Sequence, residues 1–146
     1  MHYDHKQSEL INANTWKNDF FNPQYNFGFG LSYTSFEHSN INLEKSDYLL
    51  SEKDIIISVD IKNTGEIAGK EVVQLYARDH FASISPPLRK LVRYNKVTLG
   101  AGETITVSFN VSFEELGFYN YDNIWVNEPG KHSFYIDNLE ATFNLK

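Results

Sequence analysis

Two adjacent carboxylates, Glu114 and Glu115, are the first residues in this chain that could do chemistry, since a carboxylic acid opposite a carboxylate is the machinery of sugar-bond hydrolysis. Such a pair must face one substrate across a gap of about 5–9.5 Å, and neighbouring side chains diverge in helix and strand alike. They are therefore read as the solvated first turn of a short helix, Ser112 to Gly117. Asp79 and His80 could form a base dyad, but the sequence identifies no nucleophile or third group beside them, and they are expected in a surface loop. His2, Asp4 and His5 have metal-ligand chemistry without the rigid framework that fixed coordination needs, so no metal and no cofactor is assigned. Gly28 and Gly30 lead into no helix and lack the Lys and Ser/Thr of a phosphate cradle. Asn110-Val111-Ser112 matches a glycosylation sequon but lies within an expected strand. No catalytic residue is assigned.

The elements that would carry these residues are strands. Ile55, Ile57, Val59 and Ile61 alternate with Ile56, Ser58, Asp60 and Lys62, and Ile105, Val107, Phe109 and Val111 alternate with Thr104, Thr106, Ser108 and Asn110. A period of two buries one face of each strand. Glu71 to Arg78 carries apolar residues on both sides, as a central strand does, and Ile124–Val126, His132–Ile136 and Ala141–Leu145 are further candidates. Asn63-Thr64-Gly65, Gly100-Ala101-Gly102 and Pro129-Gly130 supply the turns. Aromatics form 15% of the chain, which favours a pleated surface over helices. The reading is all-β: an immunoglobulin-like antiparallel sandwich of about seven strands over residues 36–146, preceded by an extended linker and aromatic Gly-rich lead-in over residues 1–35.

The net charge of −6 would repel a phosphate backbone, so nucleic acid is not an expected partner. No apolar run approaches the ~20 residues of a membrane span, and no membrane partner is expected. Cysteine is absent, which rules out a disulfide framework without locating the protein, and Met1 to Lys6 lacks the apolar stretch of a signal peptide. The compartment stays open.

One ordered set of short motifs runs through the whole domain: Asn26-Phe27-Gly28-Phe29-Gly30-Leu31-Ser32-Tyr33-Thr34, Asn63-Thr64-Gly65, Ala68-Gly69, Glu71-Val72-Val73-Gln74-Leu75-Tyr76, Ala101-Gly102-Glu103 and Glu128-Pro129-Gly130. From about Asn26 onward the chain thereby resembles the C-terminal fibronectin type III-like domain of family 3 glycoside hydrolases. The resemblance implies a β-glucosidase-like, retaining exo-glycosidase as parent, for which a periplasmic or secreted location fits. It also implies that the nucleophilic Asp and the acid/base residue lie on preceding domains, so none is carried onto this chain. The long segment Ala77 to Leu91 is similar to a family loop that packs toward the catalytic domains, whereas Arg93-Tyr94 departs from the family's Gly-aromatic pair and puts the local turn in doubt.

The expected role is a non-catalytic accessory domain that stabilises the catalytic domains and shapes the rim of their pocket. Trp16, Phe20, Phe21, Phe27, Phe29, Phe81, Ser83 and Arg89 are the candidate interdomain or rim contacts. Two alternatives stand beside it: an autonomous carbohydrate-binding module stacking sugars on Tyr119, Tyr121 and Trp125, and a structural immunoglobulin-like domain.

Overall fold

The alternation of Ile55, Ile57, Val59 and Ile61 puts all four side chains out of solvent in strand β3, Asp54–Asn63. Across the sheet, β6 (Thr104–Ser112) sets Val111, Phe109, Val107 and Ile105 opposite them in register. These facing rows form one wall of the core. The computed structural model in which they lie describes residues 28–84 and 89–146, together with Tyr25. Trp16, Phe20, Phe21 and Phe27, residues 1–24 of the expected linker and lead-in, and His2, Asp4 and His5 fall outside the described residues.

Strand β1, Phe36–Leu43, completes the first sheet in the order β1-β3-β6. Its apolar residues change parity, Phe36 on even numbers and Ile41 and Leu43 on odd ones, which hides the strand from a period-two reading. The register with β3 shifts between Ser39 and Asn42, and Asn40 takes a positive φ of 53° there. This bulge returns Ile41 and Leu43 to the core side.

The second sheet has the order β2-β10-β9-β4-β5, with β2 at Asp47–Tyr48, β4 at Gly69–Asp79, β5 at Lys90–Leu99, β9 at Gly130–Ile136 and β10 at Leu139–Leu145. Strand β4 lies between β9 and β5, as its apolar composition requires. The all-β sandwich is as the sequence predicts, and the seven strands of seven residues or more supply the expected number. One pairing departs from strict antiparallelism: the two residues of β2 run parallel to Asn144 and Leu145 of β10. Helix α1, Phe113–Leu116, follows β6 with Ser112 as its N-cap, and a two-stranded hairpin of β7 (Phe118–Tyr119) and β8 (Trp125–Val126) comes after it.

Strand β5 corrects the expected loop from Ala77 to Leu91, since β4 continues to Asp79 and β5 begins at Lys90. It also corrects the doubt about a turn at Arg93-Tyr94, because both residues are within the strand. Leu75 pairs with Arg93 and Tyr76 with Leu91, leaving Val92 as the extra residue of a bulge. As an edge strand, β5 carries Lys90, Arg93 and Lys96, charges that discourage further pairing and blur the alternation.

Between the sheets, Phe143 is the hub of an aromatic lattice. Phe134 stacks on it at 5.1 Å and His132 at 5.4 Å, while Tyr48 meets it edge-on at 5.6 Å. At one end of the sandwich the turn motifs converge on Asn63, which is fully buried. Its amide donates to the carbonyls of Ile67 (2.8 Å) and Leu99 (3.2 Å), and its Oδ1 accepts from the Thr34 hydroxyl (2.7 Å) and the Gly65 N–H (3.0 Å). The Asn63 backbone is bound to the Gly102-Glu103 turn on both sides. A Cβ on Gly65 would collide with Thr34 Oγ1, and one on Gly69 with Thr34 Cγ2, so glycine is required where the lead-in crosses this end. The motifs that carry the family resemblance are thus, in large part, one polar knot.

Candidate functional site

The lead-in of residues 28–35 passes from Gln74 of β4 to Asn63 at the end of β3 and is fixed at those two points. Gln74 Nε2 donates to the Gly28 carbonyl at 2.8 Å, and Gln74 is itself held by Tyr76, whose hydroxyl donates to Gln74 Oε1 at 2.6 Å. Gly28 has a φ of 83°, and a Cβ there would lie 2.5 Å from Gln74 Oε1 and 2.7 Å from the Tyr76 hydroxyl. The second fixed point is Thr34, through Asn63. Between them Phe29 is 57% exposed, Leu31 87% and Tyr33 100%. Tyr25 stacks on Phe29 at 4.8 Å.

The remaining contact candidates divide. Phe81 is exposed beside the β8–β9 connection. Ser83 is tied back by its N–H to Glu128 Oε2 at 2.8 Å, and the Arg89 guanidinium lies 4.0 Å over the ring of Tyr135. Arg89 is therefore occupied by a cation–π contact within its own domain.

Of the sugar-stacking candidates, Tyr121 is largely in solvent, whereas Trp125 is built into the surface. The indole N–H donates to the Glu114 carbonyl at 2.9 Å, Tyr119 meets the ring edge-on at 4.9 Å, and Lys90 Nζ sits 5.2 Å over it. A Cβ on Gly117 would lie 2.5 Å from that indole nitrogen, so the ring packs directly on the glycine. A hollow of about 310 Å³ lies beside it, lined by Ala77, Asp79, Lys90, Phe118, Trp125 and His132 among others. Three of its polar groups have internal partners. Lys90 donates to the Glu115 carbonyl, Asp79 accepts from the Phe81 N–H, and His132 meets the Glu128 carbonyl.

Glu114 is exposed, as expected of a helix start, but Glu115 is not merely solvated. Arg93 grips both of its oxygens, with Nη2 to Oε2 at 2.6 Å, and the Ser112 N–H donates to Oε2 at 3.0 Å. Burial works against ionisation of this carboxyl, but the bonds from Arg93 and Ser112 outweigh it and hold Glu115 below the usual glutamate range. A depressed value means that the group's stabilisation is complete above its unfolded pKa and fades as the pH falls through the folded one. Acid unfolding below about pH 5 should accordingly be shallower for Glu115→Gln than for the parent chain, measured by urea midpoints at stepped pH.

His80 does have neighbours that the sequence does not reveal. Its Nε2 is 2.9 Å from Ser133 Oγ, and Ser133 donates to Glu140 Oε1 at 2.8 Å, where the Tyr135 hydroxyl also donates at 2.9 Å. Here the serine, not the histidine, stands in the middle, and it is fully buried, so its hydroxyl is committed to a carboxylate and closed to substrate. Burial, then the charges of Arg78 and Lys131, hold His80 below the usual histidine range. The pairing of Arg78 with Ser133 and of Ser133 with Thr142 across three strands is what assembles this network. Only strand register, absent from the sequence pattern, could have located it.

The segment from Glu71 to Leu139 matches the family model of the fibronectin type III-like domain. More particularly, over most of its length the chain is similar to a stretch of family 3 beta-glucosidases and beta-xylosidases. It is 39% identical over 124 residues to a beta-xylosidase of Formosa agariphila, covering 85% of this chain and 17% of the relative. It is 38% identical over 145 residues to thermostable beta-glucosidase B of Acetivibrio thermocellus, covering 98% of this chain and 19% of the relative. The structure of a mutant beta-glucosidase from Listeria innocua in complex with laminaribiose superposes with a TM-score of 0.85 at 33% identity, over 99% of this chain and 22% of that one. The chain thus spans about a fifth of the length of the proteins it matches.

Proposed function

We propose that this chain is a non-catalytic accessory domain that buttresses the catalytic domains of a β-glucosidase-like family 3 hydrolase and contributes to the rim of their pocket. The observation that carries this reading is the match of nearly the whole chain to about a fifth of such an enzyme. Physical chemistry supports it: the carboxylate best placed for chemistry, Glu115, is neutralised by Arg93, and Ser133 is sealed from substrate. Phe29 and Phe81 are apolar and exposed, as surfaces that meet another domain are. Trp125, with its N–H and one face engaged internally, acts as packing.

The test uses the isolated chain. It should fold and release no aryl alcohol from aryl β-glycosides, and titration with glucose, cellobiose, laminaribiose or xylobiose should give no saturable change in indole fluorescence below about 1 mM, an affinity of about −4.1 kcal/mol. Hydrolysis lost on mutation of one of its own carboxylates would overturn the reading. Saturable binding abolished by Trp125→Ala in a still-folded chain would favour the carbohydrate-binding module.

A further inference from the structure

Seventeen consecutive residues, from Phe20 to Phe36, carry no charge, in a chain of which 22% is charged. Within that stretch the segment from Phe29 to Tyr33 forms a bow held at both ends. Gly28 is bound to Gln74 on one side, and Thr34 to Asn63 on the other. The Thr34 N–H also donates to the Ser32 hydroxyl oxygen at 3.3 Å, which sets the shape of the bow's second half. At its middle, the place where a Gly30 side chain would begin has no neighbour within 4 Å, so the chain there stands clear of the domain. Leu31 and Tyr33, both almost wholly in solvent, project from a backbone that is nonetheless pinned.

Tyr94 is exposed on its edge strand, which is ordinary for a folded protein, and the exposed Tyr119, Tyr121, Ile124 and Trp125 are interrupted by the charge of Asp122. Three within five uncharged residues are a patch, and a patch on a pinned backbone is preorganised for contact. We propose that this bow is a docking ridge, with Leu31 and Tyr33 as anchors, and that its occupant is an uncharged apolar hollow on the catalytic portion of the parent enzyme. The proposal rests on the accessory-domain reading. The lack of charge along the ridge selects such a hollow, because a charged residue seated against it would be desolvated with no partner. The four-fifths of each relative that lies outside the match is the surface available to supply it. The two pins explain the spacing of the motif: Gly28 gives the backbone its close approach to Gln74 and Tyr76, and Thr34 closes the polar knot, leaving the residues between them free for recognition.

A chimera in which this chain replaces the matching fifth of the Acetivibrio thermocellus enzyme carries the test. A Leu31→Ser/Tyr33→Ser double variant should shorten the chimera's half-life at an inactivating temperature by roughly tenfold or more, as loss of two buried anchors does. A Tyr94→Ser/Tyr121→Ser control should not change it. In the isolated chain, the Leu31→Ser/Tyr33→Ser variant should keep the parent's urea midpoint. A double variant as long-lived as the chimera, while the enzyme truncated before this domain is short-lived, would overturn the ridge and leave the accessory role standing. A lowered urea midpoint in the isolated chain would make the two residues structural and overturn it as well. A chimera no longer-lived than the truncation would remove the accessory role, and the ridge with it.

Discussion

Phe143→Ala is expected to be the most destabilising single truncation in this domain, at about 3–5 kcal/mol. Phe143 is buried on β10 with Phe134 and His132 stacked against it and Tyr48 on its edge, so removing the ring strands three rings at once. Tyr48 is also in edge contact with Phe113, the buried residue of α1, at 5.9 Å, which extends the damage toward the helix. The neighbours lie on strands fixed by register and cannot collapse into the space, which places the loss in the upper part of the range for core truncation. Thermal unfolding should move down by roughly 10–20 °C, and a urea titration should give an unchanged slope with a lower midpoint. Tyr94→Ala, at an exposed position on the edge strand, should stay within about 0.5 kcal/mol of the parent. Equal losses at the two sites would mean that the lattice is not the core.

The second large effect is at Asn63. Asn63→Ala removes two donated and two accepted hydrogen bonds, among them the one its amide gives to the carbonyl of Leu99, a fully buried residue. A loss of about 3 kcal/mol is expected, most of it from polar groups left unsatisfied. Asn63→Asp should be at least as damaging at neutral pH, because a carboxylate would face two carbonyl oxygens that the amide now satisfies. It should recover part of the loss in acid, where the protonated group can donate one bond. Hydrogen exchange at Gly65, whose N–H is bound to Asn63 Oδ1, should accelerate in both variants. Protection unchanged at Gly65 would show that the turn holds without the side chain.

Much of the fold was legible because the residues of β3 and β6 obey a period of two without interruption. Strands β1 and β5 were not legible, and they share a physical cause. Each contains a bulge, at Asn40 and at Val92, and an inserted residue reverses the parity that the reading depends on. The site divides in the same way. The lead-in aromatics are conspicuous in sequence, since glycines between rings mark a chain that turns without burying them. By contrast, the occupation of Arg89 by Tyr135, of Glu115 by Arg93 and of His80 by Ser133 joins residues 22 to 53 positions apart, and only the tertiary fold brings them together. Asn63-Thr64-Gly65 reads as a simple turn, whereas its asparagine organises a whole end of the sandwich.

The most direct test of the accessory role is the inactivation half-life of three proteins under one condition: the Acetivibrio thermocellus beta-glucosidase B, the same enzyme truncated before its matching fifth, and the chimera that carries this chain there. The chimera is predicted to hydrolyse aryl β-glucosides as the intact enzyme does and to outlive the truncated form. A chimera that decays as fast as the truncation would contradict the claim that this domain serves by buttressing its neighbours.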